Sequence, residues 1–196
     1  MAPSDRELID NARKGDMRAF EQLVYRYDKR VFGIAARFVT SSDDAKDIYQ
    51  EVFLRVYNGL RRFESKSEFS TWLYRITMNV CLTYHSQRKH HSQWTGSGGL
   101  GNGDSEEGSG RIEAVSNDPS PEQHAADREV ASRVEQALEI LSPKQKMVFT
   151  LRHYQGYKLR EIASMMKCTE GTVKRYLFSA TQRMREQLAD VLESYA

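Results

Sequence analysis

The chain has 196 residues, a formal net charge of +2 and 39 % hydrophobic residues, a length that allows one or two domains and an apolar fraction that leaves a sizeable segment outside any packed core. No apolar run approaches the ~18 residues needed to span a bilayer, and no signal-peptide pattern opens the chain, so membrane insertion is not expected. Its two cysteines, Cys81 and Cys168, are too few for a disulfide framework and fit a reduced, cytoplasmic setting.

The small net charge conceals a strong division. Residues 1–90 hold 16 Lys and Arg against 12 Asp and Glu, residues 91–130 hold 2 against 8, and residues 131–196 hold 11 against 7. Two basic blocks flank an acidic connector, the asymmetry expected of two nucleic-acid-facing modules.

Residues 5–14 read as a short helix with Leu8, Ile9 and Ala12 on one side. Gly15 breaks it and Asp16 can cap the next. From Phe20 the positions Leu23, Val24, Tyr27, Val31, Ile34, Ala35 and Phe38 form a long amphipathic helix. Thr40, Ser41 and Ser42 end it and offer caps for a third helix near 43–61. There Ala45, Ile48, Val52, Val56 and Leu60 face a core, with Tyr49, Phe53 and Tyr57 at its edge. Asp47, Glu51, Leu54 and Asn58 lie on the other side, with Gln50 and Arg55 beside them. From the residues alone that side is either a docking surface or a solvated face.

Residues 61–70 read as a loop, after which Ser70 caps a fourth helix with Leu73, Ile76, Val80 and Tyr84 as its inward stripe. Trp72, Arg75, Asn79 and Ser86 occupy another side, and the helix runs out into Arg88, Lys89, His90 and His91. Aromatic rings interleaved with cations suit melted nucleic acid, in which each stacked base contributes on the order of 1–3 kcal/mol. Trp72 and Phe69 could equally fill a core, and the residues leave both readings open.

Residues 92–129, rich in Gly and Ser and then acidic and punctuated by proline, lose all periodicity and read as a flexible linker. Helical order returns near Ala131, with Val130, Val134, Leu138 and Leu141. Ser142, Pro143 and Gln145 then supply an N-cap, a first-position proline and a capping-box partner for a helix that buries Met147, Val148 and Leu151 and closes at Gly156.

The stretch from Tyr157 to Leu188 is the most informative. Leu159, Ile162, Ala163 and Met166 form one short apolar face, Lys167 and Cys168 interrupt it, and Thr169 caps a second helix. Val173, Leu177, Ala180 and Met184 can pack back on the first helix, while Gly171, Lys174, Arg175, Phe178 and Gln182 face outward. Two short helices, a tight turn and a basic outer face describe a helix-turn-helix whose second helix enters a DNA major groove.

Catalytic chemistry finds no support. No glycine-rich stretch has the P-loop context, and His85, His90, His91, Cys81 and Cys168 lack zinc-site spacing, so no enzyme, cofactor or metal is expected. A nucleic-acid-processing enzyme would need a residue set that the chain does not present. A stand-alone helix-turn-helix regulator is the alternative, and it would bind a palindromic site without other machinery.

Taken together, the runs at 44–57 (DAKDIYQEVFLRVY), 69–84 (FSTWLYRITMNVCLTY), 141–163 (LSPKQKMVFTLRHYQGYKLREIA) and 171–180 (GTVKRYLFSA) resemble an extracytoplasmic-function (ECF) sigma factor, the small two-domain class of the sigma-70 family. The resemblance covers nearly all of the chain outside the linker. It implies an all-α protein of two small helical domains, region 2 at 1–91 and region 4 at 130–196, joined by a flexible acidic linker at 92–129. It implies a promoter-specificity subunit that recognises the −35 and −10 elements and promotes DNA melting, leaving catalysis to the polymerase. By resemblance, Asp47, Gln50, Glu51 and Leu54 dock on the clamp helices of the beta-prime subunit of core RNA polymerase. Phe63, Lys66 and Phe69 belong to the loop that captures a flipped −10 base, and Trp72, Arg75, Asn79, Arg88 and Lys89 hold the melted strand. Thr172, Lys174, Arg175 and Phe178 meet the −35 duplex while the C-terminal domain rests on the beta flap tip. An anti-sigma partner is also implied. Where Tyr176, Ser179 and Thr181 stand the family often has Arg, and it commonly has Ser at the position of Arg175, so the resemblance implies the docking mode on the −35 element but not the sequence read there.

Overall fold

The structure, a computed structural model, describes residues 3–95 and 121–189; the side chains of 89–95 and 121–128 are not among those described. Among the described residues it contains eight helices and no strand: α1 (Asp5–Arg13), α2 (Met17–Phe38), α3 (Ser42–Leu60), α4 (Phe69–Thr95), α5 (Pro121–Glu139), α6 (Pro143–His153), α7 (Leu159–Met166) and α8 (Glu170–Gln187). The linker read at 92–129 falls largely outside the described residues, although α4 continues to Thr95 and α5 already begins at Pro121. That earlier start follows from a proline at the first helical position, where its missing N–H costs nothing, ahead of a run of Glu, Gln and Ala.

Local chemistry sets most helix starts. Asp16 accepts from the N–H groups of Arg18 and Ala19, Ser41 from Asp44, and Thr169 from Thr172. At α6 the box is complete: Ser142 N–H donates to Gln145 Oε1 at 3.0 Å, and Gln145 N–H donates to Ser142 Oγ at 3.4 Å. Gly15, at φ 97, supplies the left-handed residue that lets α1 turn back on α2. Ser70 does not cap α4, because the helix already includes Phe69 and Ser70 lies in its first turn.

In the N-terminal half, α1, α2, α3 and α4 bury Leu23, Val31, Ile34, Ile48, Val52, Val56 and Leu73. Every inward position expected on α3 (Ala45, Ile48, Val52, Val56 and Leu60) is buried. Helix α4 exceeds its expected stripe. Tyr74, Thr77, Met78 and Cys81 are buried as well, because α4 packs on α2 and α3 and also on α6 and α7. Burial pushes the Cys81 thiol up to about 12, which keeps it protonated and inert.

The C-terminal half has two apolar seams. Met147, Val148, Leu151, Ile162 and Val173 continue the core of the first half, while Leu138, Leu141, Ala180 and Met184 form a separate cluster. Gln145 joins the two ends of this unit, since its Oε1 also accepts from the Arg183 guanidinium at 3.1 Å.

Because the α6 start depends on that reciprocal box, Ser142→Ala is expected to cost about 1 kcal/mol of stability. The loss should appear as a lower urea midpoint at unchanged m-value. An unchanged midpoint would mean that the proline alone sets the helix start.

Candidate nucleic-acid interface

The helix-turn-helix follows its periodicity in the first turns of α8 only. Ile162 and Ala163 of α7 and Val173 of α8 are buried in one cluster with Leu177 partly buried against it, whereas Ala180 and Met184, expected to pack back on α7, are buried instead with Leu138 and Leu141 because α5 and α6 cover that end of α8. The turn closes through Lys167, held in the left-handed region at φ 52, and through the Cys168 N–H, which donates to the Ala163 carbonyl at 3.0 Å. A lysine in a conformation that favours glycine is a local strain accepted for a tight turn. The outer face of α8 presents Lys174 and Arg175 exposed and Phe178 at 72 % exposure. Thr172 is half-buried, its hydroxyl 2.9 Å from Thr169 Oγ1. Lys174 Nζ lies 3.1 Å from the Glu170 carboxylate, one turn back.

Beside this face lies a cleft of about 400 Å³ lined by Arg152, Lys158, Leu159, Arg160 and Glu170. Arg152 donates through one terminal guanidinium nitrogen to the Tyr157 carbonyl at 3.1 Å, which holds the head of the side chain while leaving the residue exposed. The periodicity of the sequence does not single out these three cations. They come from the end of α6, the connecting loop and the start of α7, so no one helical face links them.

On α3, Asp47 and Gln50 are exposed and Leu54 is 56 % exposed. Glu51 is half-buried and accepts from Arg55 Nε at 2.6 Å. The result is an apolar tip among carboxylates and an amide, open to a basic or amphipathic partner.

The loop after α3 differs from its expected role in one respect. Phe63 and Phe69, expected at a captured base, are 6 % and 4 % exposed and pack on Trp72, with ring centroids 4.9 and 5.8 Å away. Arg13 Nε donates to the Leu60 carbonyl at 3.0 Å, and its guanidinium lies 5.9 Å from the Phe63 ring. The two phenylalanines therefore act as posts that hold the loop. The residues between them, Glu64 to Glu68, are exposed, and Lys66 pairs with Glu64.

Trp72 is half-buried against Gly59, so it both packs and keeps an open side. Asn79 is exposed on the same helix. Arg75 is drawn elsewhere, donating through one terminal nitrogen to the Ser164 carbonyl of α7 at 3.3 Å. Arg88 is exposed yet ion-paired with Asp44 of α3, and the same carboxylate helps burial to push the Tyr84 hydroxyl up to about 12. The side chains of Lys89, His90 and His91 lie outside the described residues.

Comparison with known proteins places these surfaces in context. Residues 23–91 match the model of sigma-70 region 2 and residues 131–184 that of sigma-70 region 4. The RNA polymerase sigma-H factor of Pseudomonas aeruginosa is 32 % identical over 193 residues, covering 96 % of this chain and 95 % of its own. The ECF RNA polymerase sigma-E factor of Escherichia coli K12 is 31 % identical over 189 residues, covering 96 % of each chain. This chain belongs to the ECF sigma factors of the sigma-70 family. Among solved structures, the sigma factor RpoE bound to the anti-sigma factor NepR from Bartonella quintana matches with a TM-score of 0.66 at 20 % identity, covering 87 % of this chain and 96 % of that one. CnrH in complex with the cytosolic domain of CnrY matches with a TM-score of 0.63 at 23 % identity, covering 98 % and 99 %. Both likenesses are of fold.

As an ECF sigma factor the protein serves promoter-specific transcription initiation, a DNA-binding role. That assignment displaces the stand-alone regulator. Among the described residues, no helix is long and apolar enough to cross a membrane.

The Trp72 ring crowds Gly59, where an added Cβ would sit 3.1 Å from the indole. In a Trp94→Phe background, Gly59→Ala should therefore shift the emission of the remaining indole, while the crowding offsets the ~1 kcal/mol that alanine gains over glycine inside a helix. An unshifted spectrum would show that Trp72 is not seated against α3.

Proposed function

We propose that this sigma factor works with its three exposed surfaces on three partners at once. Residues 1–91 form the core-docking and −10 module, residues 130–196 form the −35 module, and residues 92–129 connect them. Asp47, Gln50, Glu51 and Leu54 dock on the clamp helices of the polymerase beta-prime subunit. Thr172, Lys174, Arg175 and Phe178 meet the −35 duplex in the major groove while the domain rests on the beta flap tip. The cationic cleft of Arg152, Lys158 and Arg160 follows the adjacent phosphates, as suits a helix-turn-helix whose first helix crosses the backbone. Trp72, Asn79, Arg75, Arg88 and Lys89 hold the melted strand, with Lys66 at the tip of a loop that Phe63 and Phe69 support. Melting needs no covalent step, since an unstacking cost of a few kcal/mol is offset by contacts available only to an extruded base. The protein acts in the cytoplasm beside the polymerase, and an anti-sigma protein is its natural inhibitor, as NepR is named for its solved relative.

The observation that carries this reading is Leu54, an apolar side chain 56 % exposed within an acidic face, in the same chain as a basic recognition helix. Run-off transcription with purified core polymerase should yield promoter-dependent transcripts only when the protein is added. Asp47→Lys with Glu51→Lys should abolish co-purification with core enzyme and leave the circular dichroism spectrum intact. Retained co-purification would return that face to solvent.

Lys174→Ala with Arg175→Ala should weaken promoter binding by the holoenzyme. It should also flatten the log–log salt dependence by roughly 1.8, about 0.9 for each phosphate no longer neutralised. An unchanged slope would remove both residues from the phosphate backbone.

A further inference from the structure

Toward its end α4 leaves the bundle. Thr83 and the run from His85 to Arg88 are exposed, and Tyr84 between them is half-buried. A carboxylate of another helix reaches this end. Asp44, in the first turn of α3, pairs with the Arg88 guanidinium, and the same carboxylate faces the Tyr84 hydroxyl. Tyr84 and Arg88 are four residues apart, so both project from one side of α4 onto Asp44.

The pair is asymmetric. The Asp44 side chain is 19 % exposed and the Arg88 side chain 62 %. Asp44 sits where a carboxylate is favoured, at the positive end of the α3 dipole, and its own N–H donates to Ser41 Oγ at 3.4 Å. Tyr84 keeps its proton, because burial and the neighbouring Asp44 push its hydroxyl up to about 12, so it donates to the carboxylate. From the core outward the order is therefore carboxylate, guanidinium, water. A phosphate arriving from solvent meets Arg88 before it meets Asp44. Arg88 contacts Asp44 through Nη1, and a planar fork held at one nitrogen still offers Nε and Nη2 to a second anion.

An exposed ion pair of this kind contributes little to stability. Its consequence lies in what it does to Arg88. An untethered arginine loses the freedom of several rotatable bonds when it grips a phosphate, whereas a guanidinium already seated has less freedom to lose. We propose that Asp44 is a positioning residue for the melted strand, seating Arg88 so that its guanidinium bridges the Asp44 carboxylate and a strand phosphate. The proposal rests on the reading of Arg88 as a strand-holding residue. It gives an acidic side chain a favourable part in binding a polyanion, the reverse of what charge alone dictates. Removing a carboxylate near a phosphate ordinarily strengthens binding, and here it should weaken it.

The test uses holoenzyme reconstituted from core polymerase and the full chain, on duplex fragments that the parental holoenzyme selects from a randomised pool. Competitor-resistant complexes are measured over a range of salt. Asp44→Asn keeps the size and the acceptor for Tyr84 and removes the charge. It should weaken retention about threefold to tenfold, the range expected when one long side chain must be ordered on binding. Arg88→Ala should lose at least as much and lower the log–log salt slope by about 0.7, one single-strand phosphate. Adding Asp44→Asn to Arg88→Ala should then change nothing further, since Asp44 acts through Arg88. Arg88→Lys leaves α3 untouched and decides the matter if Asp44→Asn fails to fold. It should keep the parent's slope yet bind about as weakly as Asp44→Asn, because a point charge cannot bridge two anions as a fork does. Tighter binding by Asp44→Asn would overturn the proposal and leave Arg88 on the strand with the carboxylate as its competitor. Parental affinity in Arg88→Lys would overturn it as well. So would an Asp44→Asn loss that persists in the Arg88→Ala background, or a loss of co-purification with core enzyme, either of which makes Asp44 a folding or docking residue. Arg88→Ala without effect would instead remove Arg88 itself from the strand, and the proposal with it.

Discussion

Helix α4 carries more apolar surface than one neighbour can cover, and the architecture follows from that. Leu73 and Val80 lie on its expected inner stripe, but Tyr74, Met78 and Cys81 are buried beyond it. Tyr74 is the pivot: its ring meets Tyr27 of α2, 6.4 Å away, and Tyr157 ahead of α7, 5.5 Å away. A helix buried on two sides needs two partners. In this chain the first is the N-terminal bundle and the second is the helix-turn-helix module.

This constraint sorts the polar residues of α4 as well. Asn79 has no demand on it from the second partner and stays exposed, whereas Arg75, one turn earlier, is taken up by the Ser164 carbonyl. Arg88, near the far end, is tethered to Asp44 in the first turn of α3. Three residues that share a chemical type or a helix face thus have different availability, decided by what lies opposite each of them. The helix-turn-helix escapes such competition because α8 turns its basic side away from every other element.

Local signals were legible in the chain and long-range ones were not. Asp16, Ser41, Ser142 and Thr169 cap helices through bonds that reach no further than three residues, so a short window contains all the physics. The inward stripe of α3 is equally local in origin and matches position by position. Ser70 misleads because Phe69 is already helical, its ring anchored in the core. The burial of Phe63 and Phe69 depends on Trp72 and Arg13, and nothing in a loop's periodicity announces such neighbours. The same holds for the cations of the cleft beside α8, which three separate segments bring together. Lys146 is the extreme case: a lysine among Met147, Val148 and Leu151 reads as a solvated interruption, yet Glu139 and the Phe38 carbonyl hold it inside.

The pair of phenylalanine posts has an evolutionary corollary. With Phe63 and Phe69 fixed in the aromatic cluster, the five exposed residues between them take no part in core packing, and only Ser65, at φ 53, meets a backbone demand. Exchanges at the other four positions can therefore alter the charge and hydrogen-bonding groups that the loop displays, while the scaffold beneath remains unaltered.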